Sequence, residues 1–241
     1  MSQTRDEFHL FGALYSERLL ASWRYDLFEE RNCIRCPVDS GHQPLARRAL
    51  EKFQSAPVEV EVSHNNRDEP VIWTTPFPRC LLHGSLAADM RSQGFTGFSL
   101  RPATVRFRDG FVSRDYQRLV VTGWAGVAHP SSGIRLVKSC TGCDVREYSG
   151  LKNPKRLVDV KQWAGDDFFI VWPLAWNVVV TMRVAEYFQS AKVRSCEILP
   201  LAAPPSAHAL LRWESGFSVT GLAGVFPKAL AAKYRRPPEI V

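Results

Sequence analysis

The apolar positions of this chain change period several times, and each change marks an element. Val58-Glu-Val-Glu-Val62 alternates apolar with acidic residues, the pattern of a half-buried strand. Ser63 to Pro70 offers nothing apolar to bury and reads as a loop. Val71-Ile-Trp73 follows as a short apolar run, then a connection punctuated by Pro76 and Pro78. Ser85 to Gln93 predicts a helix, with Ser85 as N-cap, Leu86 and Met90 four apart on one face, and Gly94 as the stop. Phe95 to Phe107 predicts one or two strands.

The same order returns later. Phe168 to Trp172 predicts a buried strand that Pro173 breaks, and Arg183 to Ser190 predicts a helix with Val184, Tyr187 and Phe188 on one face. Ile198 and Leu199 fall in a closing strand. Trp73 to Phe98 lines up with Trp172 to Cys196 at an offset of 98 or 99, which reads as an internal repeat, with chance similarity as the alternative because few residues are identical. Pro44 to Phe53 predicts a further short helix, with Leu45, Ala49, Leu50 and Phe53 on one face. The first apolar positions, from Phe8 to Trp23, mix periods and are left untyped.

With 241 residues, 45% of them hydrophobic and 23% charged, the chain can bury a sizeable core, which excludes a disordered or collagen-like polymer. The apolar stretch from Phe168 to Trp176 is interrupted by Pro173 and falls short of the about 18 to 20 residues a membrane-spanning helix needs. The start, Met-Ser-Gln-Thr-Arg-Asp-Glu, lacks the apolar core of a secretory signal, so a cytoplasmic protein without a membrane partner is expected. A net charge of +7 is mildly basic. Lys228, Lys233, Arg235, Arg236 and Lys152, Lys155, Arg156 contribute without forming a dense run, and they single out no partner.

Cysteine spacing carries more. Four of the six cysteines form two CxxC pairs, Cys33-Ile-Arg-Cys36 and Cys140-Thr-Gly-Cys143. Two intervening residues let both sulfurs of a pair turn toward one ion, about 2.3 Å from each, so two pairs can supply a tetrahedral zinc site. The 103 residues between Cys36 and Cys140 far exceed the about 15 to 20 of a compact zinc ribbon, so the intervening fold must bring the pairs together. If the internal repeat is real, each half carries one knuckle, and a pseudo-twofold arrangement would unite them. A redox role for one pair, unligated thiols, and two separate sites remain as rivals. Cys80 and Cys196 stand alone in apolar surroundings and read as small core residues.

Catalytic signatures are missing. The six histidines form no HExxH pair, and neither a P-loop, a dinucleotide fingerprint nor a GxSxG elbow is present. His42, six residues beyond Cys36, is the one histidine near a thiol pair and a substitute ligand for an incomplete site. Asp166 and Asp167 are either an acid–base or metal pair, or the polar turn before a buried strand. Trp172 reads as core and Trp176 as the better candidate for an exposed anchor. No aromatic and basic stripe suited to nucleic acid is visible.

The stretch Tyr116 to Gly133 (YQRLVVTGWAGVAHPSSG), followed by Cys140-Thr-Gly-Cys143, Asp167-Phe-Phe-Ile-Val-Trp-Pro173 and Thr181-Met-Arg-Val184, resembles the double-CXXCG motif family of myxobacterial paralogues. The resemblance runs from about residue 8 to residue 201. It implies zinc bound by Cys33, Cys36, Cys140 and Cys143, no catalytic residues, and an immunity protein that neutralises a cognate protein toxin. Pro37 and Asp144 replace the glycine after each pair, and proline lacks the N–H that would approach a sulfur, which makes the Cys33 knuckle the weaker of the two.

The expected fold class is therefore α+β: two similar strand–helix–strand units, read as a duplication and joined by a zinc-knuckle pair. The expected organisation is a double-CXXC domain over residues 1–201 and a C-terminal extension over 202–241 that packs on the domain or on a partner. The expected function is neutralisation of an antibacterial toxin by occlusion, with an acidic patch of Glu59, Glu61, Asp68 and Glu69 as docking face. The alternative is a zinc-containing nucleic-acid-binding or regulatory protein.

Overall fold

The computed structural model describes residues 8–13, 20–23, 36–39, 58–75, 79–143, 145–174, 177–203 and 217–219. Six strands close into a barrel: β2 (Leu20–Trp23), β3 (Val58–Glu61), β4 (Val71–Thr75), β5 (Arg79–His83), β6 (Phe98–Arg106) and β7 (Val112–Val121). Their order is β2-β3-β6-β7-β5-β4. The alternation of β3 decides its facing: Val58 and Val60 enter the barrel interior, while Glu59 and Glu61 face water.

A second sheet holds β1 (Phe8–Gly12), β8 (Gly123–Val127), β11 (Phe168–Trp172), β12 (Val178–Thr181) and β13 (Glu197–Pro200), in the order β13-β1-β12-β11-β8. A third, small sheet joins β9 (Leu136–Ser139), β10 (Arg146–Tyr148) and β14 (Phe217–Val219), the last from the C-terminal segment. Helix α1 (Gly84–Ser92) connects β5 to β6, and α2 (Met182–Ser190) connects β12 to β13. Strands and helices together make the fold α+β.

Two cores result. Ile72, Leu81, Ala103, Val105, Phe107 and Tyr116 fill the barrel. The larger core packs the barrel's outer face against the second sheet and the apolar faces of both helices, through Trp73, Leu82, Met90, Phe168, Val184 and Phe188 among others. Strands β4 and β5 therefore bury both faces, which is why their sequences read as apolar runs without alternation. Strand β7 leaves the barrel and enters β8 after one residue, Thr122, whose amide donates to the carbonyl of Gly97. Gly97 has φ +80, and a Cβ there would lie 2.1 Å from the Phe168 carbonyl, so the joint between barrel and sheet requires glycine.

The order β2-β4-β5-β7-β6 in the barrel and the order β8-β11-β12-β1-β13 in the sheet carry the same pairings: one parallel, then three antiparallel. A hairpin followed by a helix and a closing strand occurs twice, and it differs from the expected order in two respects. Each helix is preceded by a hairpin, not by one strand: β5 lies where a proline-punctuated connection was expected. The strand registers also make Trp73 equivalent in position to Ile170, because Val71 pairs with Leu82 as Phe168 pairs with Val180. The two tryptophans used to align the repeat are not equivalent.

Individual boundaries held well for the two helices. The N-cap of α1 is His83, whose Nδ1 accepts the Ser85 amide at 3.3 Å; the expected cap, Ser85, lies inside the helix. Phe95 to Phe107 contains one strand. The helix expected over Pro44 to Phe53 lies outside the described residues. Among the described residues, no helix is long and apolar enough to cross a membrane.

Candidate metal centre

The first thiol pair lies between β2 and β3, the second between β9 and β10. Cys36, Cys140 and Cys143 come together, with all three sulfurs within 4.8 Å of one another. Cys36 Sγ is 3.5 Å from Cys140 Sγ. A tetrahedron of sulfurs about 2.3 Å from a zinc ion has edges of about 3.8 Å, so the three sulfurs lie within reach of one ion. Cys36 is buried and the other two are half-buried. Cys33 and His42 lie outside the described residues.

Backbone amides support the sulfurs. The Gly142 amide donates to Cys140 Sγ at 3.4 Å. Cys36 Sγ accepts from the amides of Val38 and Asp39, and Cys143 Sγ from that of Val145. Each sulfur thus uses the amide two residues on, and Cys36 the one after it as well. At these three sulfurs the pattern does not use the N–H of the next residue, which Pro37 lacks.

Burial pushes the Cys36 thiol up, but the two amides and the neighbouring thiols of Cys140 and Cys143 outweigh it and hold it below its ordinary value. Cys143 is pushed up to about 11, first by burial and then by the Cys36 and Cys140 thiols, against the Val145 amide. Three thiols this close cannot all ionise unaided, and a divalent cation relieves that conflict. The donor set fits zinc: soft thiolates, near-tetrahedral spacing and N–H···S support.

The segment that follows Cys36 meets the Cys140–Cys143 loop at Gly142. A Cβ there would lie 2.6 Å from Val38 Cγ2 and 3.1 Å from Pro37 Cγ, so a side chain would push the segments apart. Lys138 spans the same junction, 3.5 Å from Asp39 and 3.9 Å from Glu147. Val38 and Val137 stand exposed beside it, at 63% and 67%.

Other candidates are placed elsewhere. Asp167 is buried and structural: it accepts from the Thr96 amide at 3.0 Å, the Thr181 hydroxyl at 2.9 Å and Arg183 Nη1 at 3.0 Å. Cys80 is buried in the larger core and Cys196 packs against it. Trp172 is buried, with its indole N–H donating to the Tyr148 hydroxyl. Trp176 lies outside the described residues. The acidic patch is corrected at Glu69, which is buried and takes hydrogen bonds from Asn66 at 2.7 Å and from the Ser195 hydroxyl. Glu59, Glu61 and Asp68 remain exposed. What spacing could not reveal was the amide scaffold around the sulfurs, because it depends on turn geometry.

No protein-family model matches the sequence, and no curated protein matches it.

Proposed function

We propose that this chain is an immunity protein of the double-CXXCG kind it resembles, which binds a cognate antibacterial toxin and blocks it by occlusion. Zinc held by Cys33, Cys36, Cys140 and Cys143 would act as a structural clamp that supplies no reaction step. The observation that carries the clamp is the convergence of Cys36 with Cys140 and Cys143 within 4.8 Å from distant parts of the chain. The similar strand orders in barrel and sheet support reading the two halves as copies of one unit, each with one knuckle. Asp167, the one carboxylate of the candidate acid–base pair that is buried, is consumed by hydrogen bonds that hold the fold, which supports a non-catalytic role.

Occlusion requires a complementary surface of at least about 1,000 Å² in total and no chemistry. The test is co-expression with the toxin encoded beside it: restored growth supports immunity, and undiminished killing by a genuine cognate toxin removes it. Binding to DNA or RNA alone, weakening steeply with salt, would instead favour a nucleic-acid reader. Zinc is tested separately, by metal content of the purified protein, with one ion per chain expected.

A further inference from the structure

Strand β1 opens the chain, yet it lies inside the sheet built by the second half, between β13 and β12. Phe8, His9, Leu10 and Phe11 are all buried there. Strand β7 opens the second half, yet it lies inside the barrel, between β6 and β5. The registers make the two positions equivalent. Leu10 faces Val179 on one side and Leu199 on the other, and Arg118 faces Leu81 and Arg101. Val179 lies 98 positions beyond Leu81, and Leu199 lies 98 beyond Arg101. The neighbouring residues agree: His9 faces Pro200 as Gln117 faces Pro102, again 98 apart. Two independent ladders therefore give the same match between β1 and β7.

That match separates Leu10 from Arg118 by 108 positions, close to the 107 between Cys36 and Cys143. Each half thus contains the same series of first strand, second strand, thiol pair, hairpin, helix and closing strand, to which the first half adds β3 and the second adds β9 and β10. Only the first strand crosses over. We infer that the two halves of this chain are mutual binding partners, each with a strand-wide slot that the first strand of the other fills. Without β7 the facing edges of β5 and β6 would leave ladder N–H and C=O groups unpaired, and without β1 so would those of β12 and β13. The thiol cluster, drawn from Cys36 of one half and Cys140 and Cys143 of the other, then forms only once the halves have joined. The inference stands apart from the identity of the metal and from the toxin reading.

The β6–β7 turn gives the test. Gly110 sits at its exposed tip, with nothing within 4 Å of a built Cβ. A site-specific protease sequence inserted between Asp109 and Gly110 of the full-length chain should be tolerated there. Cleavage of the folded protein should leave one species of the uncut mass. After unfolding and separation, neither half alone should show a cooperative unfolding transition, and mixing should restore it. The inference is overturned if the cut protein separates into two folded bodies, or if either half refolds alone by placing its own first strand in its own slot.

Native-state hydrogen exchange on the uncut protein needs no refolding and decides the matter if the mixture precipitates. The amides of Leu10 and Phe11 should open with those of the second half's sheet, and those of Arg118 and Leu119 with the barrel, each within about threefold across denaturant. Leu10 opening with the barrel strands would overturn the exchange.

Discussion

Cys36 Sγ lies 3.5 Å from Cys140 Sγ, across 103 intervening residues of chain. A contact of that range closes a loop that contains most of the barrel, so an ion bound there restrains both halves at once. Stabilisation by a ligand that binds only the folded state is about 4.1 kcal/mol when the free ligand is about 1,000 times its Kd. Chelation should therefore lower the thermal midpoint by several degrees. Cys143→Ser should lower zinc content and remove most of that response, as measured by metal analysis and calorimetry with and without chelator. A thermal midpoint indifferent to both would show that the cluster holds no structural ion.

Gly142 is the contact point of the knuckles. Gly142→Ala places a Cβ 2.6 Å from Val38 Cγ2, and overpacking of this kind costs about 1–3 kcal/mol. Cobalt affinity, followed by thiolate charge-transfer absorption, should fall about tenfold or more. Val38→Ala in the same chain should restore part of it, since Val38 is the closest obstruction. Unchanged affinity in the single variant would mean that the knuckles move independently.

Asp167 ties the start of β11 to Thr96, to Thr181 at the end of β12, and to Arg183 of α2. Asp167→Ala leaves the Thr96 amide and the Thr181 hydroxyl without this acceptor; Thr96 is exposed, so water replaces part of its bond, and the half-buried Thr181 carries most of a cost of about 1–3 kcal/mol. Arg183 is half-exposed, so its share is screened by solvent. A loss of about 1–3 kcal/mol of unfolding free energy is expected, read as a fall in the denaturant midpoint at unchanged m-value. Asp167→Asn, which keeps one acceptor oxygen, should lose less.

Burial pushes the thiols of Cys80 and Cys196 up, Cys196 to about 12, and the proximity of Cys196 adds to the effect at Cys80. Both stay neutral in the folded protein while an unfolded thiol ionises near about 8.5. Their favourable contribution is therefore complete below that value and is lost as pH rises toward the folded values. Stability should decline above about pH 9 by about 1.4 kcal/mol per pH unit for each thiol. Cys196→Ala should flatten the slope of the denaturant midpoint between pH 9 and 11. A slope unaltered by the substitution would assign the decline to other groups.

Several elements were legible because their signals are local. The alternation of Val58 to Glu61, the helical faces of α1 and α2, and the apolar run of β11 are settled within a few residues of each other. Strand β5 was hidden because both its faces are buried, one in the barrel and one against α1, which erases alternation. Strands β1 and β2 were untyped for a related reason: β1 is an interior strand whose two neighbours, β12 and β13, lie more than 160 residues away.

The sequence by itself determined the α+β class, the two helices and the presence of two CxxC pairs, because periodicity and CxxC spacing are short-range properties. Tertiary structure alone decided that Cys36 meets Cys140 and Cys143, that Glu69 is buried, that β1 lies in the sheet of β8, β11, β12 and β13, and that β7 lies in the barrel. Those outcomes depend on ladder registers and packing between segments far apart in the chain. No window of local sequence contains both partners, so only the folded molecule specifies them.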